Sequence, residues 1–136
     1  MPQLNNHLSM TQKFSSGSPW EPLVGYSRAV RSGNTIEVSG TTAIKNGQVV
    51  GEGDPYAQTR QILQINAEAL QHLGADIGHV VRTRIYVTDI NHWEAIGRAH
   101  GEVFGVIRPA CSMVAVAALI DPRLLVEIEA TAIINS

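Results

Sequence analysis

The run CSMVAVAAL, Cys111 to Leu119, is apolar at odd and even positions alike apart from Ser112. Side chains alternate across a strand, so a strand of this kind needs cover on both faces of its sheet. The rest of the chain sets how much cover there is. RAVRSGNTIEVSGTT reads as two strands joined at Ser32-Gly33-Asn34, with alternation in Thr35 to Val38. Asn46-Gly47 is a strong hairpin signal. Asp54-Pro55 opens a helix, the acid as N-cap and the proline at the first helical position. Ile62, Asn66, Ala69, Leu70 and Leu73 then share one face until Gly74 stops it. HVVRTRIYVTDI alternates Val81, Thr83, Ile85 and Val87 against Arg82, Arg84, Tyr86 and Thr88, the pattern of a strand. Asn91 with Glu94 predicts a capping-box start to a second helix, whose inward face is Trp93, Ile96, His100, Val103 and Phe104. GSPWEPLVGYS, with two prolines and two glycines, reads as loop, and VEIEATAI supplies the last strand. The whole is an α+β sheet with two helices, which can cover one face only. A bare second face would be a large apolar patch, uncommon in monomers, so another subunit is the expected cover.

At 136 residues the chain is expected to form one domain, residues 12–136, behind a mobile N-terminal tail, residues 1–11. The net charge of −2, with Lys and Arg scattered, offers no basic footprint for nucleic acid or an anionic membrane, which disfavours both as partners. No apolar run reaches the ~18 residues of a spanning helix. MPQLNNHLSM lacks the basic start and apolar stretch of a signal peptide. A single cysteine, Cys111, excludes an intramolecular disulfide and fits a reducing compartment, so the expected location is cytoplasmic.

Glu127 and Glu129 sit two apart in VEIEATAI, so a pleat puts both carboxylates on one face of an otherwise apolar strand. One explanation is a pair of solvated acids beside a basic residue. The other is a carboxylate held in a cleft, where it polarises a water or takes a proton. Burial would raise its pKa and a nearby cation would lower it, so the group that answers it decides its state. Arg28 and Arg31 fall on opposite faces of their strand, which makes Arg28 a candidate, with Arg108 and Arg123 as rivals. Nothing adjacent to Cys111 marks its thiol as activated, and it reads as a small buried strand residue. His7, His72, His79, His92 and His100 show no ligand spacing with cysteine or carboxylates, so no metal is expected. There is no phosphate loop, nucleotide fingerprint or G-x-S-x-G elbow. His100, on an apolar helix face, reads as a satisfied core histidine, and Asn66 needs a buried partner.

Several segments together resemble the YjgF/Rid superfamily, the reactive intermediate deaminases. They are GYSRAVRSGNTIEVSGTTAI, NGQVVGEGDPYAQTRQILQINAEAL, IYVTDINHWEAI, RPACSMV and VEIEATAI, in family order from about Phe14 to Ile134. The resemblance implies a chorismate-mutase-like mixed sheet with two helices on one face, and a homotrimer with small-molecule clefts between adjacent subunits. It implies hydrolysis of enamine and imine intermediates to a keto acid and ammonia, without a cofactor. Carried over by motif, Ser39-Gly40, Tyr26, Tyr86 and Asn91 would line the cleft, and Glu127 would position the attacking water.

The sequence departs from the family at one position. Archetypal members read P-A-R-S, where the arginine grips the substrate carboxylate in a bidentate fork; here the residues are Pro109-Ala110-Cys111-Ser112. A thiol supplies no planar, permanently charged pair of donors. The span from Cys111 to Glu127 is also one residue longer, at LIDPRLL. Weak or absent activity on 2-aminoacrylate-type imines is therefore expected. Three functions compete: a Rid-like hydrolase whose substrate is not an α-carboxylate or is held by another cation, a non-catalytic metabolite-binding or regulatory trimer, and an endoribonuclease. An arginine pointing into the cleft favours the first.

Overall fold

The chain alternates short strands and helices in an order set by its turn signals. In the computed structural model, residues 11–135 are described. They form β1 (Thr11–Phe14), α1 (Trp20–Val24), β2 (Ala29–Ser32), β3 (Thr35–Thr41), β4 (Ile44–Lys45), β5 (Gln48–Val49), α2 (Pro55–His72), β6 (Val80–Val87), α3 (Trp93–Phe104), β7 (Ala110–Ala115) and β8 (Val126–Ile133). The sheet order is β1-β2-β3-β8-β6-β7, antiparallel except for the parallel β6–β7 pair. This is the expected α+β architecture. Of the tail read from the sequence, Thr11 belongs to β1, and residues 1–10 lie outside the described residues.

Local chemistry explains the elements that were legible. Asp54 accepts a hydrogen bond from the Ala57 amide at 3.0 Å, and Pro55 occupies the first turn of α2. Asn46 and Gly47 both take positive φ, +52° and +77°, as a two-residue hairpin turn requires. Ile62, Asn66, Ala69, Leu70 and Leu73 are all buried. They pack α2 across β3 and β8, with α3 alongside it. Core side chains therefore come from one face of the sheet and the facing helix stripes, including Ile36, Leu70, Ile85, Ile96 and Ile128. Asn66 is buried, yet neither amide atom has a partner among the described residues, contrary to the expectation.

Four other readings need correction. GSPWEPLVGYS is not all loop: Trp20–Val24 is a five-residue helix closed by Gly25 at φ +91°. Its prolines fall at the N-cap and in the first turn, where the backbone N–H groups have no helical partner to lose. In β6 the alternation is broken at Val81, which is 41% exposed while Val80 is 3%. There β6 carries one residue more than β8, Val80 pairing with Ala132 and Arg82 with Thr131. This bulge flips the strand's phase. The start of α3 has no side-chain cap at all: Asn91 lies in a preceding 3-10 turn, Ile90–His92, and it is that turn which Asp89 caps, accepting from the Asn91 amide at 2.9 Å. Of the inward face read for α3, Ile96 and Phe104 are buried and Val103 packs against the core, joined by Ala99, but Trp93 is 55% exposed.

The strand that constrained the fold most is shorter than its apolar run. It ends at Ala115 and forms the sheet edge, with Ala110, Cys111, Ser112, Val114 and Ala115 all exposed. The face away from the helices is also not the apolar patch expected of it. It is a polar ladder in which Thr131 bonds Glu37, Tyr86 bonds Glu129, and Arg82 bonds Ser112. Those cross-strand contacts pair polar groups within the chain, although Arg82 Nε stays buried without a partner among the described residues.

Candidate functional site

β3 is irregular where the candidate residues collect. Val38 pairs with Ala130 and Thr41 with Ile128, so β3 spends one residue more than β8 between them. Such a bulge lifts Ser39-Gly40 out of the ladder and re-aims the chain. Ser39 Oγ donates to the Ser27 carbonyl at 2.6 Å, which ties the bulge to the segment before β2. Gly40 then lies directly on the Glu127 carboxyl group. A Cβ added there would be 2.7 Å from Glu127 Oε2, closer than contact allows. The atom in the way is the end of a flexible side chain, so Gly40→Ala should fold but push the carboxylate aside. A shift of about 1 Å can cost up to ~100-fold in rate. We expect Gly40→Ala to leave the thermal unfolding midpoint little changed, and to weaken by at least about tenfold whatever chemistry the groove supports.

Glu127 is half-buried in a groove of about 970 Å³, lined also by Tyr26, Arg28, Gly40 and Lys45. Arg28 is 6% exposed. Its Nη1 donates to the Gly40 carbonyl at 2.8 Å and to Thr41 Oγ1 at 2.9 Å, and its Cζ lies 5.4 Å from the Tyr26 ring centroid. Arg28 therefore shares the groove with Glu127. Among the described residues, however, it forms no ion pair within 4 Å with Glu127 or any other acid. Burial pushes the Glu127 carboxyl up, the neighbouring Glu129 adds to this, and the Arg28 charge offsets only part of it. The net direction is upward.

The opening puzzle of two acids on one apolar strand has two different answers. Glu129 is answered by a phenol: Tyr86 donates to its Oε1 at 2.6 Å, a bond that raises the tyrosine's own pKa. Glu127 is answered at longer range by Arg28. The rival cations are occupied elsewhere or exposed. Arg108 lies in solvent. Arg123 bonds Asp121 at 2.8 Å and holds that acid down to about 2.

Of the eight residues singled out from the sequence, Glu127, Tyr26, Arg28 and Gly40 line the groove, and Ser39 anchors its wall. Tyr86 pairs across the sheet with Glu127 but spends its hydroxyl on Glu129. Asn91 is exposed beyond the end of β6 and outside the groove. Cys111 is exposed on the edge strand rather than buried. It pairs with Thr83, three residues from the Glu127 partner Tyr86, so within one chain it lies on the opposite sheet face from Glu127. His100 behaves as a core histidine: its Nε2 is 2.9 Å from Thr83 Oγ1, its ring is 4.6 Å from Phe104, and burial lowers its pKa. Sequence reasoning missed Glu21, a buried acid on α1 bonded by Ser16. Burial raises this carboxyl, but hydrogen bonds from Ser16 and Ser15 and the Arg28 charge carry it below its ordinary value. An acid inside an apparent loop carried no signal.

Among the described residues no group of three or more His, Cys, Asp and Glu side chains could hold a metal ion, and no helix is long and apolar enough to cross a membrane. The fold and groove define a small α+β protein with a half-buried carboxylate beside a buried arginine. Residues 17–134 match the model of the family Endoribonuclease L-PSP, and the chain belongs to that family. It is 51% identical to Rv2704 of Mycobacterium tuberculosis, a member of the YjgF/YER057c/UK114 family, with a TM-score of 0.83 over 91% of this chain and 99% of that one. An uncharacterized protein of Streptomyces coelicolor is 41% identical over 89% of this chain and 90% of its own length. The 3-aminoacrylate deaminase RutC of Acinetobacter baylyi is 34% identical over 85% of this chain and 91% of its own. The resemblance read from the sequence motifs is thus correct.

Proposed function

We propose that this chain is a Rid-type hydrolase of small imine or enamine metabolites, with Glu127 managing the water. The observation that carries the reading is the Glu127 carboxyl, half-buried against Gly40 in an open groove with its pKa raised. A carboxyl moved toward the working pH can both take and return a proton. As water attacks the carbon of the protonated imine, Glu127 takes a proton from it and a neutral carbinolamine forms. Glu127 returns that proton to nitrogen, and the C–N bond then breaks as the hydroxyl gives its own proton back to the carboxylate, releasing ammonia and a carbonyl. The similarity to RutC supports the class of reaction. An arginine in the groove favours this reading over a non-catalytic one. Two basic side chains, Arg28 and Lys45, line the groove among the described residues, too few to track a nucleic-acid backbone. The decisive measurement is ammonia and 2-oxo-acid release from imines made in situ by an amino-acid oxidase. Acceleration over the spontaneous rate at micromolar protein is expected, weak for the alanine-derived imine that is the tautomer of 2-aminoacrylate; its absence across all small and apolar imines would overturn the reading.

The same proposal includes a homotrimer with the groove completed by a neighbouring subunit, and cytoplasmic operation on a small-molecule substrate without cofactor. The exposed edge strand β7 and its exposed Val114, together with the family membership, support the assembly. A head-to-tail contact that closes after three copies would supply each groove from two chains. Sedimentation equilibrium is expected to return three times the chain mass at micromolar concentration. A stable monomer there would refute it.

A further inference from the structure

The short helix α1 is inside out. Its single acid, Glu21, is buried, while its three large apolar residues, Trp20, Leu23 and Val24, are 43%, 77% and 71% exposed. These sit at i, i+3 and i+4, one stripe of a helix, and in a surface helix that stripe ordinarily faces the core. A helix of five residues has no stability of its own and depends on what fixes it. Here the fixing is polar: Glu21 accepts from the amide and the hydroxyl of Ser16, and the Arg28 charge draws it. The fold thus buries the acid and leaves a tryptophan half out of the core, where its large apolar surface would contribute most.

What the exposed stripe faces gives it a use. Trp20 and Val24 line the same groove as Glu127, and so does Ile120, 63% exposed in the loop after β7. Ile44 and Ile65 add apolar surface from β4 and α2. At about 970 Å³ the groove is at the upper end of the range that encloses drug-sized ligands, far more than a three-carbon imine fills. Exposed apolar side chains that converge from separate elements beside a reactive carboxyl mark a surface that holds the unreactive part of a substrate. We infer that α1 is the specificity wall of this groove, and that the carbon chain of its substrate ends in a large apolar group, branched or aromatic, which packs on Trp20 beside Val24 and Ile120. Glu21 sets that wall by holding α1 with its apolar stripe outward. The inference rests on the hydrolase reading only for the identity of the groove as the reaction site.

The test observes the two tryptophan Nε1–H resonances of the protein in its native assembly by NMR while neutral ketones are added. Trp20→Phe assigns the Trp20 signal by its loss. Acetone and 4-methyl-2-pentanone share the carbonyl that imine hydrolysis leaves behind, and differ only in a methyl against an isobutyl group. Each carbon moved out of water is worth about fourfold in affinity, so the larger ketone is expected to bind at least about tenfold more tightly. It should move the Trp20 signal and leave that of Trp93, which is outside the groove, unmoved. In turnover, the imine from leucine is expected to exceed that from alanine in kcat/KM by at least about tenfold. Both carry the same carboxylate, so this ratio is blind to how that group is held. Trp20→Ala should lower the ratio by about tenfold, and Trp20→Phe should keep most of it, since a phenyl ring still offers a flat apolar face. A Trp20 signal that the larger ketone leaves unmoved, or equal affinity for the two ketones, would overturn the inference. So would a Trp20 Nε1–H already protected from solvent exchange in the free protein, which would give α1 to a subunit contact instead. The two proposals fail separately. Preference for the larger ketone at Trp20 without any imine turnover sinks the hydrolase and keeps the wall; turnover with an unchanged ratio in Trp20→Ala does the reverse.

Discussion

Replacing Glu127 by glutamine is expected to lower kcat/KM for imine hydrolysis by about 100-fold or more, the lower end of what a positioned acid–base group supplies. Glutamine keeps the shape against Gly40 but cannot take or return a proton, so the loss isolates the chemistry from the packing. The wild-type profile of kcat/KM against pH should show an acid limb centred above the ordinary glutamate value, because burial and Glu129 raise this carboxyl. That limb should vanish in Glu127→Gln. Stability moves the other way. A carboxyl raised by folding contributes stability that is fully present below its unfolded-chain value and is lost as pH rises through the folded one. At neutral pH the ionised group is therefore a net burden, and Glu127→Gln should resist denaturant slightly better than wild type, with the difference closing as pH falls below the ordinary glutamate range. A variant with activity within a few-fold of wild type would remove Glu127 from the mechanism.

Truncating Ile128 to alanine is expected to cost about 2–5 kcal/mol, the range for deleting most of a fully buried aliphatic side chain. Ile128 has no solvent exposure. It sits on the central strand β8, paired with Thr41 on one side and Ile85 on the other, under the helix layer. Its neighbours are held by ladders on both sides, so the cavity can collapse only partly. The denaturation midpoint in urea should fall with the slope unchanged, since the surface exposed on unfolding is nearly the same. A loss under about 1 kcal/mol, against the range for such truncations, would show that this layer is loosely packed.

Two short-range readings, the Asp54 cap and the Asn46-Gly47 turn, survived in the structure, whereas the Asn91 cap and the loop reading of GSPWEPLVGYS did not, and strict alternation failed at a bulge. Asp54-Pro55 and Asn46-Gly47 act through contacts within a few residues, so the sequence contains the whole cause. Ile62, Ala69, Leu70 and Leu73 were legible because a long helix with one buried stripe averages over local exceptions. Val81 was misplaced because one extra residue at the start of β6 puts Val80 rather than Val81 on the buried face, while Thr83, Ile85 and Val87 keep the phase of the alternation, and a bulge leaves no mark in the hydrophobic pattern. The end of β7 at Ala115 was invisible for a related reason: Val116 to Leu119 are as apolar as the strand before them.

From its sequence alone this protein declared its α+β class, the two long helices and their buried stripes, its family motifs, and the pair Arg28 and Glu127 as the residues to watch. Tertiary structure alone decided how those two relate. It set Glu127 against the Gly40 bulge with its pKa raised, and gave Glu129 to Tyr86. It spent Arg28 Nη1 on the Gly40 carbonyl and Thr41 Oγ1 and left its Nε buried without a partner, and it put Cys111 on the far face of the sheet edge. The physical reason is range. Propensity, capping and turn chemistry act between residues close in the chain, whereas the state of a charge depends on what covers it and which distant oxygens reach it.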